Sequence, residues 1–262
     1  MSSRIGLALG GGAARGFAHI GVIKVVEEEK IPVTAVSGTS VGSLMGLLFC
    51  AGKSWKEIEE VSRPLRWRDL LSLRLSGKGI YCTDKLERLI EGVLGPIRFE
   101  DLEIPLTVVA VDVSTGEEVI LAAGQAAAAV CASTAVPGVF CPRQIDGRLL
   151  IDGGMRNSVP ADVVRRMGAD ITVGVDLNRD RVKRRNPASA WQVVSNTVGI
   201  VINNNLAPGK GSADILVAPD LFGFGYRSLD NKGEMIRRGE AAMRGALPEL
   251  EKLILSKQTE KE

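Results

Sequence analysis

Ser40 stands in a pattern that can activate a serine for nucleophilic attack. The segment Gly38-Thr39-Ser40-Val41-Gly42 has the form Gly-x-Ser-x-Gly, which is typical of a nucleophile elbow. In that turn a strand passes directly into a helix, and the serine hydroxyl projects from the backbone. The flanks agree with this interpretation, because Val33 to Val36 predicts a short strand and Val41 to Cys50 an apolar helix. In a chain with 30 glycines the pattern is weak evidence until other segments support it.

A glycine-rich loop precedes the serine by one strand. Residues 10–16 read Gly-Gly-Gly-Ala-Ala-Arg-Gly, between a buried-strand pattern at Ile5 to Leu9 and a predicted helix at Phe17 to Lys30. Backbone N–H groups at a helix N-terminus can bind a developing anion, and neighbouring parallel strands place their C-terminal loops side by side. A plain tight turn and a dinucleotide-binding loop are the alternatives. The dinucleotide loop fits poorly, because Ala13 replaces its middle glycine and no acidic residue ends the second strand.

Asp152 is the candidate base. It follows an apolar strand ending at Ile151 and precedes Gly153 and Gly154, which suits either a turn aspartate or a catalytic carboxylate. The sole histidine, His19, lies upstream of Ser40 inside the first predicted helix, whereas α/β-hydrolase triads place histidine last. We expect a structural His19, about 5 Å or more from the loop tip at 1.5 Å rise per helical residue. Serine chemistry here therefore requires a base other than histidine.

The elements that must position these residues alternate between strands and helices. Residues 5–36 form a strand, loop, helix and strand, which is a βαβ unit and predicts a parallel sheet. We predict an α/β fold: a three-layer α/β/α sandwich around a mostly parallel sheet, as one domain over 1–262 with a core of about 5–220. Further helices are predicted at 53–61, 84–95, 125–133, 159–167, 188–205 and 234–255. Further strands are predicted at 105–114, 117–122, 170–175 and 214–217, with a turn between short strands at 144–151 and a frayed tail at 256–262.

Composition excludes several classes of function. The chain is 45% apolar and 24% charged, and its net charge of +2 gives no indication of a nucleic-acid partner. Its four cysteines lack CxxC spacing and are interpreted as reduced core thiols, and one histidine argues against a metal site. The N-terminus lacks the apolar region of a signal peptide, so a cytoplasmic location is expected. No cofactor is predicted.

Three segments allow more than one interpretation. Leu65 to Leu75 mixes arginines, leucines and Trp67, and either covers the core or lies on an anionic lipid surface; whether 63–80, with its predicted loop at 76–79, forms a lid stays open. The basic stretch from Asn178 to Pro187 predicts a solvated loop. Tyr81 and Lys85 match the Tyr-x-x-x-Lys of short-chain dehydrogenases, which we interpret as coincidence because the pair comes too early in the chain.

Taken in order, four segments resemble the patatin-like phospholipase family, and in particular its short bacterial members that consist of the catalytic domain. They are the glycine loop at 10–16, the elbow at 38–42, Ser133-Thr134-Ala135-Val136-Pro137, and Asp152-Gly153-Gly154. They span residues 5 to about 160. Their combination is far more specific than any one of them.

This resemblance implies a Ser-Asp dyad in place of a triad. Ser40 would be the nucleophile and Asp152 the base. The oxyanion-hole N–H groups would come from Gly10, Gly11 and Gly12, with Gly38, Gly42, Gly153 and Arg15 in supporting roles. Arg15 either holds the loop or adds positive charge near it. Ala13 departs from the family's glycine pattern but keeps its backbone N–H.

The implied function is hydrolysis of lipid acyl esters, as in phospholipases A and lysophospholipases, without metal or cofactor. The partners would be a lipid or acyl-ester substrate and a membrane in peripheral contact, with the oligomeric state left open. A nucleotide-binding domain and a catalytically silent lipid-binding module are the alternatives. A free aspartate, with a pKa near 3.9, is a weak base at pH 7. We therefore predict modest turnover that relies on the glycine loop, unless burial raises the pKa of Asp152.

Overall fold

The computed structural model describes residues 3–73, 81–179, 190–204 and 211–259. The strands are β1 (Ile5–Leu9), β2 (Val33–Thr39), β3 (Ser72–Leu73), β4 (Tyr81–Cys82), β5 (Leu106–Asp112), β6 (Glu118–Leu121), β7 (Arg143–Ile145), β8 (Arg148–Asp152), β9 (Ile171–Val175) and β10 (Ile215–Val217). The helices are α1 (Phe17–Glu28), α2 (Val41–Cys50), α3 (Trp55–Ser62), α4 (Trp67–Leu70), α5 (Asp84–Leu94), α6 (Ala126–Ser133), α7 (Ala161–Arg166), α8 (Ala190–Asn204) and α9 (Lys232–Thr259). Short 3-10 helices occupy Ala13–Gly16, Phe99–Asp101 and Gly153–Met155.

The main sheet is mixed. Its strand order is β10-β9-β1-β2-β5-β8-β7, and β6 pairs with β5 outside this path. The pairs from β10 through β5 are parallel, whereas β5–β6, β5–β8 and β7–β8 are antiparallel. Strands β3 and β4 form a separate two-stranded sheet. The predicted α/β class and the parallel core of the sheet are therefore confirmed.

Helices cover both faces of the sheet. Successive residues of β1 point to opposite faces, so neighbouring residues of this strand pack in different cores. Leu7 and Leu9 belong to the large core that includes residues of α1, α2, α6 and α9. Ala8 packs in a smaller core with Val164 of α7 on the opposite face. The result is the three-layer arrangement expected from the sequence.

Several element ends differ from the predictions. Helix α1 ends at Glu28, because Lys30 adopts a left-handed φ of 52°. Helix α3 begins at Trp55, where Ser54 and Glu57 form a capping box. Helix α9 continues through Thr259 into the stretch predicted to fray. The predicted loop at 76–79 and most of 178–187 lie outside the described residues.

The helices in the described ranges do not have the features of a membrane span. None of them combines sufficient length with sufficient apolar character to cross a bilayer.

Candidate active site

Ser40 occupies a sharp turn between β2 and α2. Its φ of 53° and ψ of −126° lie in a region that non-glycine residues rarely adopt, which costs about 1–3 kcal/mol and occurs mainly at functional sites. The neighbouring glycines permit the turn. A Cβ on Gly42 would lie 2.0 Å from the Leu9 carbonyl oxygen, and one on Gly38 would lie 2.5 Å from Ser43 Cα. The Gly-x-Ser-x-Gly pattern thus has a steric cause in this chain.

Strand β5 brings Ser40 and Asp152 together. Thr39, at the end of β2, pairs with Val109, and Asp152, at the end of β8, pairs with the next residue, Ala110. Strand β6 pairs with Val109 and Ala110 as well, so β2 and β8 must share the opposite edge of β5. They run toward each other along that edge and end on adjacent residues. This end-to-end meeting places the carboxylate beside the serine.

The carboxyl group of Asp152 is buried, with the residue only 2% exposed. Burial raises its pKa from 3.8 to about 6, while hydrogen bonds from the Ser40 side chain and the Gly154 N–H lower the pKa by less. The Gly154 N–H lies 2.7 Å from Asp152 Oδ1. The Asp152 N–H donates to the Ala135 carbonyl at 3.0 Å, which fixes the backbone on the other side. Hydrogen bonds therefore fix the position of the Asp152 carboxylate beside the serine, and burial makes it more basic than an ordinary aspartate.

The glycine loop lies against the serine. A Cβ on Gly11 would be 3.4 Å from Ser40 Cβ. The N–H groups of Gly10 and Gly11, however, donate to the carbonyls of Val175 and Ser158 at 3.1 and 3.0 Å. In this conformation they hold the loop to neighbouring segments, which differs from the donor role expected of them.

Two other N–H groups near Ser40 are available to an anion. Those of Gly12 and Val41 make no hydrogen bond within the described ranges. Gly12 is the third predicted donor. Val41 is the first residue of α2, and in the nucleophile elbows of serine hydrolases the N–H that follows the serine is an oxyanion donor. Sequence reasoning missed Val41, although the elbow pattern itself contained the signal.

His19 has a structural position. It is fully buried, and its Nε2 lies 2.8 Å from the Gly10 carbonyl oxygen, so that nitrogen carries the proton and donates. Burial lowers the pKa of His19 from 6.5 to about 4, outweighing the opposite effect of the Gly10 hydrogen bond. The histidine is therefore neutral at pH 7 and bound to the base of the glycine loop. The prediction concerned the loop tip, and it did not consider this contact between the side chain and the base of the loop.

Arg15 anchors the glycine loop to later segments. Although fully buried, its guanidinium donates to the carbonyls of Leu177, Leu221 and Phe224 at 2.8–3.2 Å. It also lies 4.6 Å from the centre of the Tyr226 ring. Of the two roles considered from the sequence, these contacts correspond to holding the loop.

Two side chains to which sequence reasoning assigned no role complete the support. Ser133 Oγ accepts the Ser40 N–H at 2.7 Å and donates to the Val109 carbonyl at 2.6 Å. Asn178 Nδ2 donates to the Gly11 carbonyl at 2.8 Å. Gly153, which was predicted in a supporting role, packs closely here, since a Cβ there would lie 2.2 Å from the Val109 carbonyl oxygen. These contacts join segments far apart in the chain, so no local pattern reveals them.

The fold has counterparts among solved structures. VipD from Legionella pneumophila superposes with a TM-score of 0.60 and 15% identity over 97% of this chain and 67% of that one. The type III effector protein ExoU superposes with a TM-score of 0.54 and 14% identity over 95% of this chain and 53% of that one. At these identities the similarity is one of fold alone and defines the class as an α/β protein; the serine at a strand-to-helix turn is observed in this chain itself.

Sequence comparison gives the family. The patatin-like phospholipase family model matches residues 7–165. An uncharacterized NTE family protein of Mycobacterium tuberculosis is 38% identical over 180 residues, covering 68% of this chain and 50% of that protein. Neuropathy target esterase sws of Drosophila melanogaster is 34% identical over 181 residues, covering 66% of this chain and 13% of that protein. The chain belongs to the patatin-like phospholipase family and spans about half the length of its mycobacterial relative.

Proposed function

We propose that this protein hydrolyses acyl esters of lipids, as a phospholipase A or lysophospholipase, through a Ser40–Asp152 dyad. One observation carries the proposal: the strained Ser40 and the buried Asp152 meet where β2 and β8 end on adjacent residues of β5, while the only histidine is bound elsewhere. Family membership and the names of relatives, which include an esterase, support the substrate class.

The chemistry follows from the raised pKa. At a pKa of about 6, Asp152 is mostly ionised at pH 7 yet more basic than an ordinary aspartate. It accepts the Ser40 proton while Oγ attacks the ester carbonyl carbon, and the protonated carboxyl then donates to the leaving alcohol. A water molecule, activated by the same carboxylate, attacks the acyl-enzyme and releases the fatty acid. The N–H groups of Gly12 and Val41 stabilise the oxyanion in both halves, each donor contributing about 3–4 kcal/mol at most.

A fluorophosphonate probe and a panel of p-nitrophenyl esters and phospholipids test this proposal. We expect the probe to label Ser40, and Ser40→Ala to lose both labelling and hydrolysis. Ser114→Ala, at an exposed serine on the β5–β6 connection, is the matched control and should behave like the unaltered protein. Equal labelling or turnover in Ser40→Ala would refute the role of Ser40.

A lipid surface is the proposed partner, and helix α8 supports it. The helix contains no charged residue, and Ile202 packs beside Gly154, next to Asp152. On its outer side Val193, Val194 and Ile200 are each about half exposed, at 49%, 47% and 51%. An apolar helix face beside the reacting groups suits contact with acyl chains.

Two exposed arginines follow segments that support the candidate site. Arg156 follows the Gly153–Met155 helix, and Arg179 follows Asn178, which holds the glycine loop. Both are exposed and form no ion pair within the described parts of the chain. Exposed guanidinium groups can bind the phosphates of an anionic bilayer.

Vesicle flotation tests this partner. The double variant Val194→Asp/Ile200→Asp should bind phosphatidylglycerol vesicles at least tenfold more weakly than the unaltered protein, because charges enter the apolar contact. Val113→Asp is the control, since Val113 is 46% exposed on the β5–β6 connection, away from α8. If the double variant bound these vesicles as strongly as Val113→Asp, a role for α8 would be contradicted. If the unaltered protein bound uncharged vesicles as strongly as phosphatidylglycerol vesicles, a role for the arginines would be contradicted.

A further inference from the structure

Two cysteines away from the dyad lie side by side. Cys82 ends β4, and Cys141 lies between α6 and β7. Their sulfur atoms are 3.0 Å apart, and neither is in a disulfide. They are 59 residues apart in sequence, so the lack of CxxC spacing gave no indication of this contact.

The backbone already holds the pair at disulfide spacing. The Tyr81 N–H donates to the Val139 carbonyl at 3.0 Å, and the Cys141 N–H donates to the Tyr81 carbonyl at 2.7 Å. These bonds form a parallel bridge between Tyr81 and Phe140, which places the next residues, Cys82 and Cys141, opposite each other. Adjacent strands lie about 4.8 Å apart. Disulfides join Cα atoms separated by about 4.4–6.8 Å, so side-chain rotation suffices to close the bond.

Exposure separates this pair from the other two cysteines. Cys141 is half-buried and Cys82 is 5% exposed, so a small oxidant can reach the pair through Cys141. Cys50 and Cys131 are fully buried, and burial raises the pKa of each thiol, that of Cys131 to about 12. Those two therefore stay protonated and shielded.

We propose that Cys82 and Cys141 are an oxidation site at which a peroxide converts the two thiols to a disulfide. The Cys141 thiolate attacks one peroxide oxygen, which breaks the O–O bond and gives a sulfenic acid and one water. The Cys82 thiolate then attacks the sulfenic sulfur, the S–S bond forms, and a second water leaves. Two thiols lose two protons and two electrons, and these reduce one hydrogen peroxide to two waters.

The bond would join β4 to a segment that supports the candidate active site. Residues 133–141 include Ser133, which accepts the Ser40 N–H, and Ala135, which accepts the Asp152 N–H. A cross-link between distant residues restricts the unfolded chain, so oxidation should stabilise the fold and fix this segment to β4.

Peptide mapping after peroxide treatment tests the site. We expect a Cys82–Cys141 linked peptide in the non-reduced digest, lighter than the two thiol peptides by two hydrogens, and a melting temperature higher by about 10 °C that dithiothreitol reverses. Cys141→Ser and Cys82→Ser should each lose both effects, whereas Cys50→Ala should keep them. Melting of each variant in reductant verifies folding.

Three results would overturn the proposal. They are sulfinic or sulfonic acid on Cys141 while Cys82 still reacts with iodoacetamide, cross-linking between chains instead of within one, and no oxidation at peroxide concentrations that oxidise exposed methionines.

Discussion

At the scale of single residues, Asp152 combines a cost in stability with a gain in basicity. The burial that raises its pKa from 3.8 to about 6 also disfavours the ionised carboxylate in the fold. A shift of this size corresponds to about 3 kcal/mol at neutral pH. The same environment makes the carboxylate a better match for a serine hydroxyl at pH 7. Function and stability therefore conflict at this residue.

The first prediction concerns the pH dependence of turnover. The dyad requires an ionised Asp152, so kcat/KM for a neutral p-nitrophenyl ester should rise with pH and reach half its plateau near pH 6. An aspartate with an ordinary pKa would place that midpoint near pH 4. Initial rates from pH 4.5 to 8.5 at constant ionic strength would show the difference, and a midpoint near 4 would contradict the buried-base interpretation.

The second prediction is that Asp152→Asn stabilises the protein while abolishing turnover. The amide cannot ionise but can still accept the Gly154 hydrogen bond. Because the folded-state pKa of Asp152 exceeds the unfolded one, its penalty is absent below about pH 4 and complete above about pH 6. The variant should thus be more stable by about 2–3 kcal/mol at pH 8 and nearly unchanged at pH 4. Urea unfolding at both pH values measures this, and a gain of equal size at pH 4 would disprove the electrostatic origin.

At the scale of elements, the sequence could predict structure formed by residues close together in the chain but not contacts between distant segments. The βαβ unit at 5–36 and the elbow at 38–42 depend on adjacent residues, and the α/β class followed from them. The meeting of β2 and β8 on β5 depends on two long-range pairings, Thr39 with Val109 and Ala110 with Asp152. The closeness of Ser40 and Asp152 was therefore predicted only from the family resemblance. The support from Ser133 and Asn178 was missed for the same reason.

The third prediction tests the steric basis of the elbow. In Gly42→Ala the new methyl group would lie 2.0 Å from the Leu9 carbonyl oxygen, so α2 must move away from β1. We expect a loss of about 2–4 kcal/mol in unfolding free energy and at least a hundredfold lower kcat. Gly92→Ala in α5 is the control, because a Cβ there meets no atom within 4 Å. That variant should gain about 0.5–1 kcal/mol from helix propensity. Equal stability of the two variants would remove the steric argument.

At the scale of the whole molecule, the C-terminal helix closes the core against the first helix. Gly21 of α1 and Gly239 of α9 bring the two backbones into contact, with would-be Cβ atoms only 2.0 and 1.9 Å from the carbonyl oxygens of Ile236 and Ala18. Lys24 and Glu240 pair at 2.8 Å beside this crossing. Such partly exposed pairs contribute about 1 kcal/mol or less, so the glycine contact and the apolar core dominate.

This crossing extends to the glycine loop, and the last prediction follows from that connection. Ala18 precedes His19, whose side chain holds the Gly10 carbonyl. In Gly239→Ala the methyl group would press on Ala18, so α1 must shift together with His19. Melting temperature should fall by about 5–10 °C and kcat should fall with it, although α9 contributes no reacting group. Gly245→Ala, in the same helix with no atom within 4 Å of the new Cβ, should melt at or above the original temperature with unchanged kcat. If Gly239→Ala lowered stability but left kcat at 25 °C intact, α9 would stabilise the fold without positioning the loop, and the connection through His19 would be disproved.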